Sequence, residues 1–228
     1  MTAAIVPVKH LAHGKSRLAA TLGRAGAEQL ALAMLEDVVA ALRGARGVDV
    51  VAVVTPDEAV AAAARRSGAR VIRELERSES DERARGLAPG ESRLNESIDR
   101  AARELGAEST LVVLGDVAGA LREDVERLLD QLAALPAPAA VLAPARDGGS
   151  AALARRPPDA IPSRFGRDSA EAHRAAARAA GVAWAECALP SLALDLDDDA
   201  ALHAFLATPS GGARTRATLR ALGLRGDA

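Results

Sequence analysis

The sequence predicts a single α/β domain built on a mostly parallel sheet with helices on both faces. Three observations carry that expectation. Short runs rich in Val and Ile alternate with Ala- and Leu-rich segments of helical period, as when strands are joined by covering helices. A chain of 228 residues that is 49% apolar is long enough to bury a sizeable core. Only 1% of it is aromatic, supplied by Trp184, Phe165 and Phe205, so the core has to be assembled from Ala, Leu and Val, with Ala setting close helix packing.

The elements follow in order along the chain. Ala3–Val8 reads as a buried strand. Ala25–Leu42 reads as a helix, because Leu30, Met34, Val38 and Leu42 recur at helical spacing. Val48–Thr55 is the next strand and Pro56 ends it. Glu58–Ser67 is a short helix stopped by Gly68, and Arg70–Arg73 a third strand. Arg73–Arg93 is dense in Arg, Glu, Asp and Ser and is expected as an exposed, mobile loop. A helix over Leu94–Leu105 and a strand over Ser109–Leu114 come next, the strand running into Gly115-Asp116. Leu121–Leu135 is a helix, Ala139–Pro144 a strand, and Gly148-Gly149-Ser150 a turn. Asp168–Ala180 is a helix with Asp168 as the expected N-cap. Ala183–Leu194 is a strand region broken by Pro190, with Trp184 and Cys187 expected in the core. Asp199–Ala207 is a helix. Residues 1–208 are expected to form the domain, and 209–228 a tail with one weak helix.

Composition also excludes functions. The net charge is −2 with no long basic run, so the electrostatic footprint of a nucleic-acid binder is missing, as are aromatic platforms for stacking bases. A single cysteine, Cys187, excludes an intrachain disulfide and any cysteine-rich metal site. No signal peptide is expected at the N-terminus, and no apolar run approaches the roughly 20 residues that span a bilayer. A cytoplasmic location is the expectation. Homodimerisation is left open.

In a sheet of this type, ligands sit outside the carboxyl ends of the strands. That rule singles out Lys9, Thr55, Asp116, the turn at Gly148 and the acidic run from Asp195. Gly14-Lys15-Ser16 tempts one toward a P-loop, but the pattern needs a glycine five positions earlier, where Lys9 stands. What remains is a loop carrying Lys9, Lys15 and Arg17, three cations suited to a triphosphate; a solvated charged loop is the alternative. Asp116, straight after a strand, is placed to hold Mg²⁺, or to cap a turn. Asp195 and Asp197 would point to one face of a strand and could share that cation, while Asp198 or Asp199 caps the next helix. Phe165-Gly166-Arg167-Asp168-Ser169 has a glycine and a hydroxyl at a helix N-terminus, which suits an anion, or simply starts an ordinary helix. His173 lies one turn on and reads as structural or as facing the site.

Taken in order, Val6-Pro-Val-Lys9, Lys15-Ser-Arg-Leu18, Met34-Leu-Glu-Asp37, Leu94-Asn95, Asp116, Gly148-Gly-Ser150, Phe165-Gly-Arg-Asp-Ser169 with His173, and Leu194-Asp-Leu-Asp197 resemble one family. They are similar to the 2-phospholactate and phosphoenolpyruvate guanylyltransferases of coenzyme F-420 biosynthesis, from about Ile5 to Phe205. The resemblance implies a Rossmann-like sheet of the nucleotide-diphospho-sugar transferase type. It implies that GTP reacts with phosphoenolpyruvate or 2-phospholactate and releases pyrophosphate. Gly166, Ser169 and Ser150 would hold the acid. The implied Mg²⁺ site falls on Asp116, to which spacing adds Asp195 and Asp197; Lys9 and Asn95 are expected to contact the nucleotide, and Lys15 and Arg17 to serve the transfer. After Asp116 the family usually continues Leu-Pro, where this chain reads Val117-Ala118, and Ala151 stands where a polar residue is usual. A non-catalytic nucleotide-binding relative and a nucleotidyltransferase with another phosphorylated acceptor are the alternatives.

Overall fold

The computed structural model describes residues 1–13, 15–74, 91–208 and 211–224. Seven strands, β1 (Thr2–Pro7), β2 (Val50–Thr55), β3 (Arg70–Arg73), β4 (Ser109–Val113), β5 (Ala139–Pro144), β6 (Ser150–Arg156) and β7 (Ala183–Glu186), form one sheet in the order β3-β2-β1-β4-β6-β5-β7. β6 runs antiparallel to both its neighbours, and the other pairings are parallel. The α/β expectation is met.

Seven helices are described: α1 (Ser16–Gly44), α2 (Glu58–Arg66), α3 (Glu91–Glu104), α4 (Arg122–Ala134), α5 (Ser169–Ala180), α6 (Asp199–Ala207) and α7 (Ala213–Ala221). They cover both faces because the strand side chains alternate. Ala4, Val6, Val51 and Val53 pack against α1, α2 and α4 through residues such as Leu35, Val60 and Leu128. Ile5, Ala52 and Val54 face the other way, against Leu94 and Ile98 of α3 and Ala177 of α5. A third cluster, with Leu18, Met34, Phe205 and Leu219, fastens α6 and α7 to the first half of α1. There Asp37 is buried and its carboxylate accepts from the Arg214 and Thr215 amides and the Thr215 hydroxyl. Trp184 and Cys187 are half-buried against the two main clusters.

Four local expectations are corrected. α1 begins nine residues before Ala25, at Ser16, and bends at Gly23, whose φ of 70° breaks the helix; that break obscures the helical period of the first turns. β6 went unrecognised, since Ala and Arg are poor strand formers and only burial between two strands makes Ser150–Arg156 extended. β7 stops at Glu186, well short of Leu194. Asp168 sits at the N-cap position with φ 51° and makes no capping bond, because a side chain caps from an extended backbone, not a left-handed one. Asp198 does cap α6, accepting from the Ala201 amide at 2.9 Å. Most of the loop expected over Arg73–Arg93 lies outside the described residues. Among those described, no helix is long and apolar enough to cross a membrane.

Candidate active site

A cleft of about 440 Å³ opens at the carboxyl edge of the sheet. Lys9 follows the end of β1 there and Asp116 the end of β4, and β6, being antiparallel, begins there at Ser150. The N-terminus of α5 and the segment before α6 complete the walls with Ser169, Asp195 and Asp197.

One end is acidic with a half-buried cation, Lys15. Oxygens of Asp116, Asp195 and Asp197 lie within 4.8 Å of one another. The Leu196 amide donates to the Asp116 carbonyl at 3.3 Å. That contact lays Asp195 and Asp197 along the end of β4 without a strand forming, yet both carboxylates still turn the same way. Lys15 donates to Asp116 Oδ2 at 2.8 Å and to Asp197 Oδ1. Burial disfavours its charge, but the two carboxylates outweigh that and raise the ammonium above its ordinary range. Burial, then repulsion from Asp116 and Asp197, pushes Asp195 up to about 6. Asp116 Oδ1 is buried with no hydrogen-bond partner. Three converging carboxylates with an unsatisfied oxygen are the donor set a hard divalent cation takes. Arg17 stands outside this group, mostly exposed, with its guanidinium 4.0 Å from Asp198.

Lys15 is a non-glycine residue at φ 51°, a conformation that persists only where the surroundings hold it. The loop before it is anchored by Asp57, whose carboxylate accepts from the Leu11 amide at 3.1 Å while capping α2 through Ala59 and Val60. Sequence reasoning passed over Asp57, although an Asp after Pro56 and before a helix is an N-cap signal. Thr55, singled out for its position, is buried and accepts from the Asp57 amide.

The other end is built from neutral hydroxyls. Ser150 and Ser169 are 1% and 2% exposed, and the Ser150 amide donates to Ser169 Oγ at 2.8 Å. The neighbouring loop is held through successive backbone amides. Asp99 accepts from Ser163 N at 3.1 Å and from its hydroxyl at 2.6 Å. His173 Nε2 accepts from Arg164 N at 2.9 Å. Asn95 accepts from Phe165 N at 2.7 Å and donates to Phe165 O at 2.9 Å. Gly166 follows at φ 145° and lines the cleft. Asn95, expected against the nucleotide, is thus brought to the backbone of this loop. Asp99 carries no signal in the sequence because its partner lies 64 residues away, and His173, read as structural or as facing the site, turns out to hold the Arg164 amide nine residues before it.

His173 is completely buried. Burial, then the nearby Arg155 guanidinium, lowers its pKa from 6.5 to about 4. Its unfolded-state pKa is higher, so the unfolded chain binds more protons between those values. The stability from keeping it neutral is complete above pH 6.5 and is lost as pH falls toward 4, about 3 kcal/mol in all. Urea unfolding at stepped pH is expected to show this loss in the wild type and a shallower slope in His173→Gln. Equal slopes would remove His173 as its source.

Similarity to known proteins points one way. A family model described as guanylyl transferase CofC like matches residues 2–227. A phosphoenolpyruvate guanylyltransferase of Sphaerobacter thermophilus is 39% identical over 207 residues, covering 89% of this chain and 91% of its own. One from Rubrobacter xylanophilus is 40% identical over 218 residues, covering 93% and 96%. A solved structure described as a nucleotide-diphospho-sugar transferase, from Desulfovibrio desulfuricans G20, aligns with a TM-score of 0.69 over 97% of this chain and 96% of that one, at 17% identity. The fold type implied by the sequence resemblance is therefore correct.

Proposed function

The chain belongs to the CofC-like guanylyl transferase family, and from that premise we propose that it joins the GMP of GTP to phosphoenolpyruvate with release of pyrophosphate, the reaction class of the coenzyme F-420 route. The observation that carries this reading is one cleft with two chemically distinct ends. A carboxylate triad with a half-buried lysine suits a metal-bound triphosphate. Two buried hydroxyls beside a helix N-terminus suit a small anion.

The nucleophile is a phosphate oxygen of the acid, already ionised at neutral pH, so no general base is required. It forms a bond to the α-phosphorus of GTP as the bond to the bridging oxygen breaks, and pyrophosphate leaves with that electron pair. The obstacle is repulsion between two anions. Lys9 and Lys15, both lining the cleft, supply positive charge, with Arg17 at the rim. Asp116, Asp195 and Asp197 would hold Mg²⁺, which when bound neutralises phosphate charge. Gly166, Ser150 and Ser169 bind the acid and fix its phosphate for in-line attack, and Asn95 holds the loop that carries Gly166.

Pyrophosphate release measured with GTP, CTP and ATP against phosphoenolpyruvate and 2-phospholactate tests this. Turnover is expected with GTP and phosphoenolpyruvate foremost; none with GTP and either acid overturns the reading. Lys15→Ala is expected to lower kcat/KM for GTP about 100-fold, since a charge-assisted bond strengthens as pyrophosphate leaves. Arg17→Ala should cost less, and Arg24→Ala, outside the cleft, least. Equal small effects at all three positions would return the loop to a solvated role.

A further inference from the structure

The acid end holds two buried hydroxyls, Ser150 and Ser169, that line the cleft. Ser169 Oγ accepts from the Ser150 amide, and Ser150 Oγ lies 2.8 Å from His173 Nδ1. Which atom donates in the second contact is fixed by the far side of the imidazole. Nε2 faces the Arg164 amide at 2.9 Å, and a backbone N–H only donates, so Nε2 carries the lone pair. A neutral imidazole then has its proton on Nδ1, where the Ser150 hydroxyl oxygen accepts it alongside the Ser169 backbone carbonyl. An imidazolium would set Nε2–H against the Arg164 N–H, and burial beside Arg155 works against that form as well. Phe165 packs edge-on to the ring with centroids 5.0 Å apart, which holds its plane.

We propose that His173 is a positioning residue for the acid: by donating Nδ1–H to Ser150 Oγ while the Arg164 amide occupies Nε2, it leaves the Ser150 hydroxyl hydrogen free to donate to the bound anion. The inference rests on the proposed acid site. The ring does two things at once. It orients one donor of the turn and, through Arg164, ties that turn to the loop bearing Gly166. A hydroxyl hydrogen turned toward the cleft suits an acceptor-rich ligand such as a carboxylate or phosphate. His173 itself does not touch the acid.

The test is a double-mutant cycle read by calorimetric titration of phosphoenolpyruvate, together with the tautomer of His173 read from two-bond ¹H–¹⁵N correlation spectra of the wild type. Gln reaches the Nε2 position and can still accept from Arg164, but it presents no donor where Nδ1 stood. H173Q is expected to weaken phosphoenolpyruvate binding about tenfold, the loss of one hydrogen bond to a charged group, with GTP binding unchanged. In an S150A background the same substitution should add less than about twofold, since coupled residues are non-additive. The spectra should show the Nδ1–H tautomer. Equal losses in both backgrounds, a matching loss of GTP binding, or an Nε2–H tautomer each overturns the proposal, and the spectra decide it should H173Q fail to fold. A wild type that binds phosphoenolpyruvate without turnover would sink the proposed reaction and leave this inference standing, whereas a wild type that does not bind it overturns this one.

Discussion

Asp116→Asn is expected to reduce guanylyl transfer by about 100- to 1,000-fold, the range found when one preorganised electrostatic group is removed from a transition state, while the protein stays folded. The argument begins with what Asn keeps. It has the same shape, and its amide oxygen can still accept from Lys15, whose ammonium lies 2.8 Å from Asp116 Oδ2. The backbone bond from the Leu196 amide to the Asp116 carbonyl does not depend on the side chain. What Asn loses is charge. Three carboxylates within 4.8 Å repel one another, and that repulsion adds to burial in pushing Asp195 up to about 6. Relieving that repulsion makes the apo protein as stable as the wild type or more so, the usual exchange of stability for function at a charged site. Pyrophosphate release and thermal melts with and without Mg²⁺ and GTP check both halves. The wild type should gain stability with the two ligands together and the variant much less. Turnover within a few-fold of wild type would remove Asp116 from the metal site.

The same carboxylates show what a sequence can disclose. Asp116 was legible because a run of Thr110, Leu111, Val112 and Val113 reads as a buried strand, and a polar residue three positions beyond Val113 lies at the sheet's edge. Asp195 and Asp197 were legible from alternation alone, although the segment is not a strand. β6 was not legible. Ala151, Ala152 and Ala154 carry no strand preference, and the segment is extended because β4 and β5 bracket it. Losing β6 hid the fact that Ser150 starts an antiparallel strand, which is the reason it stands at the ligand edge. The supporting shell was hidden more deeply. Asp57, Asp99, Asn95 and His173 act on backbone amides elsewhere in the chain, and no local pattern encodes which amide a side chain will find.

That shell decides the expected outcome at Gly166. Gly166→Val should lower kcat/KM for phosphoenolpyruvate about 100-fold or more, the size of loss that follows when a reacting group is displaced by about an ångström, and leave GTP binding within a few-fold of wild type. Two effects add. At φ 145° a β-branched residue is strained by on the order of 1–3 kcal/mol, and its isopropyl group would stand at the wall of the cleft that Gly166 lines. A loose loop could relax and relieve both. This one is restrained, because Ser163 is tied to Asp99, Arg164 to His173 and Phe165 to Asn95, with donor–acceptor distances of 2.6 to 3.1 Å. The strain must then go into the folded state or into displacement of the acid, so a small drop in melting temperature should accompany a large loss of acid use. Gly166→Ala, with one carbon in place of three, should fall between wild type and Val on both measures. Kinetics with acid and GTP varied separately distinguish the outcomes. If Val impairs GTP binding and spares the acid, the two ends of the cleft have been assigned the wrong way round. If neither substrate is affected, Gly166 serves the turn alone.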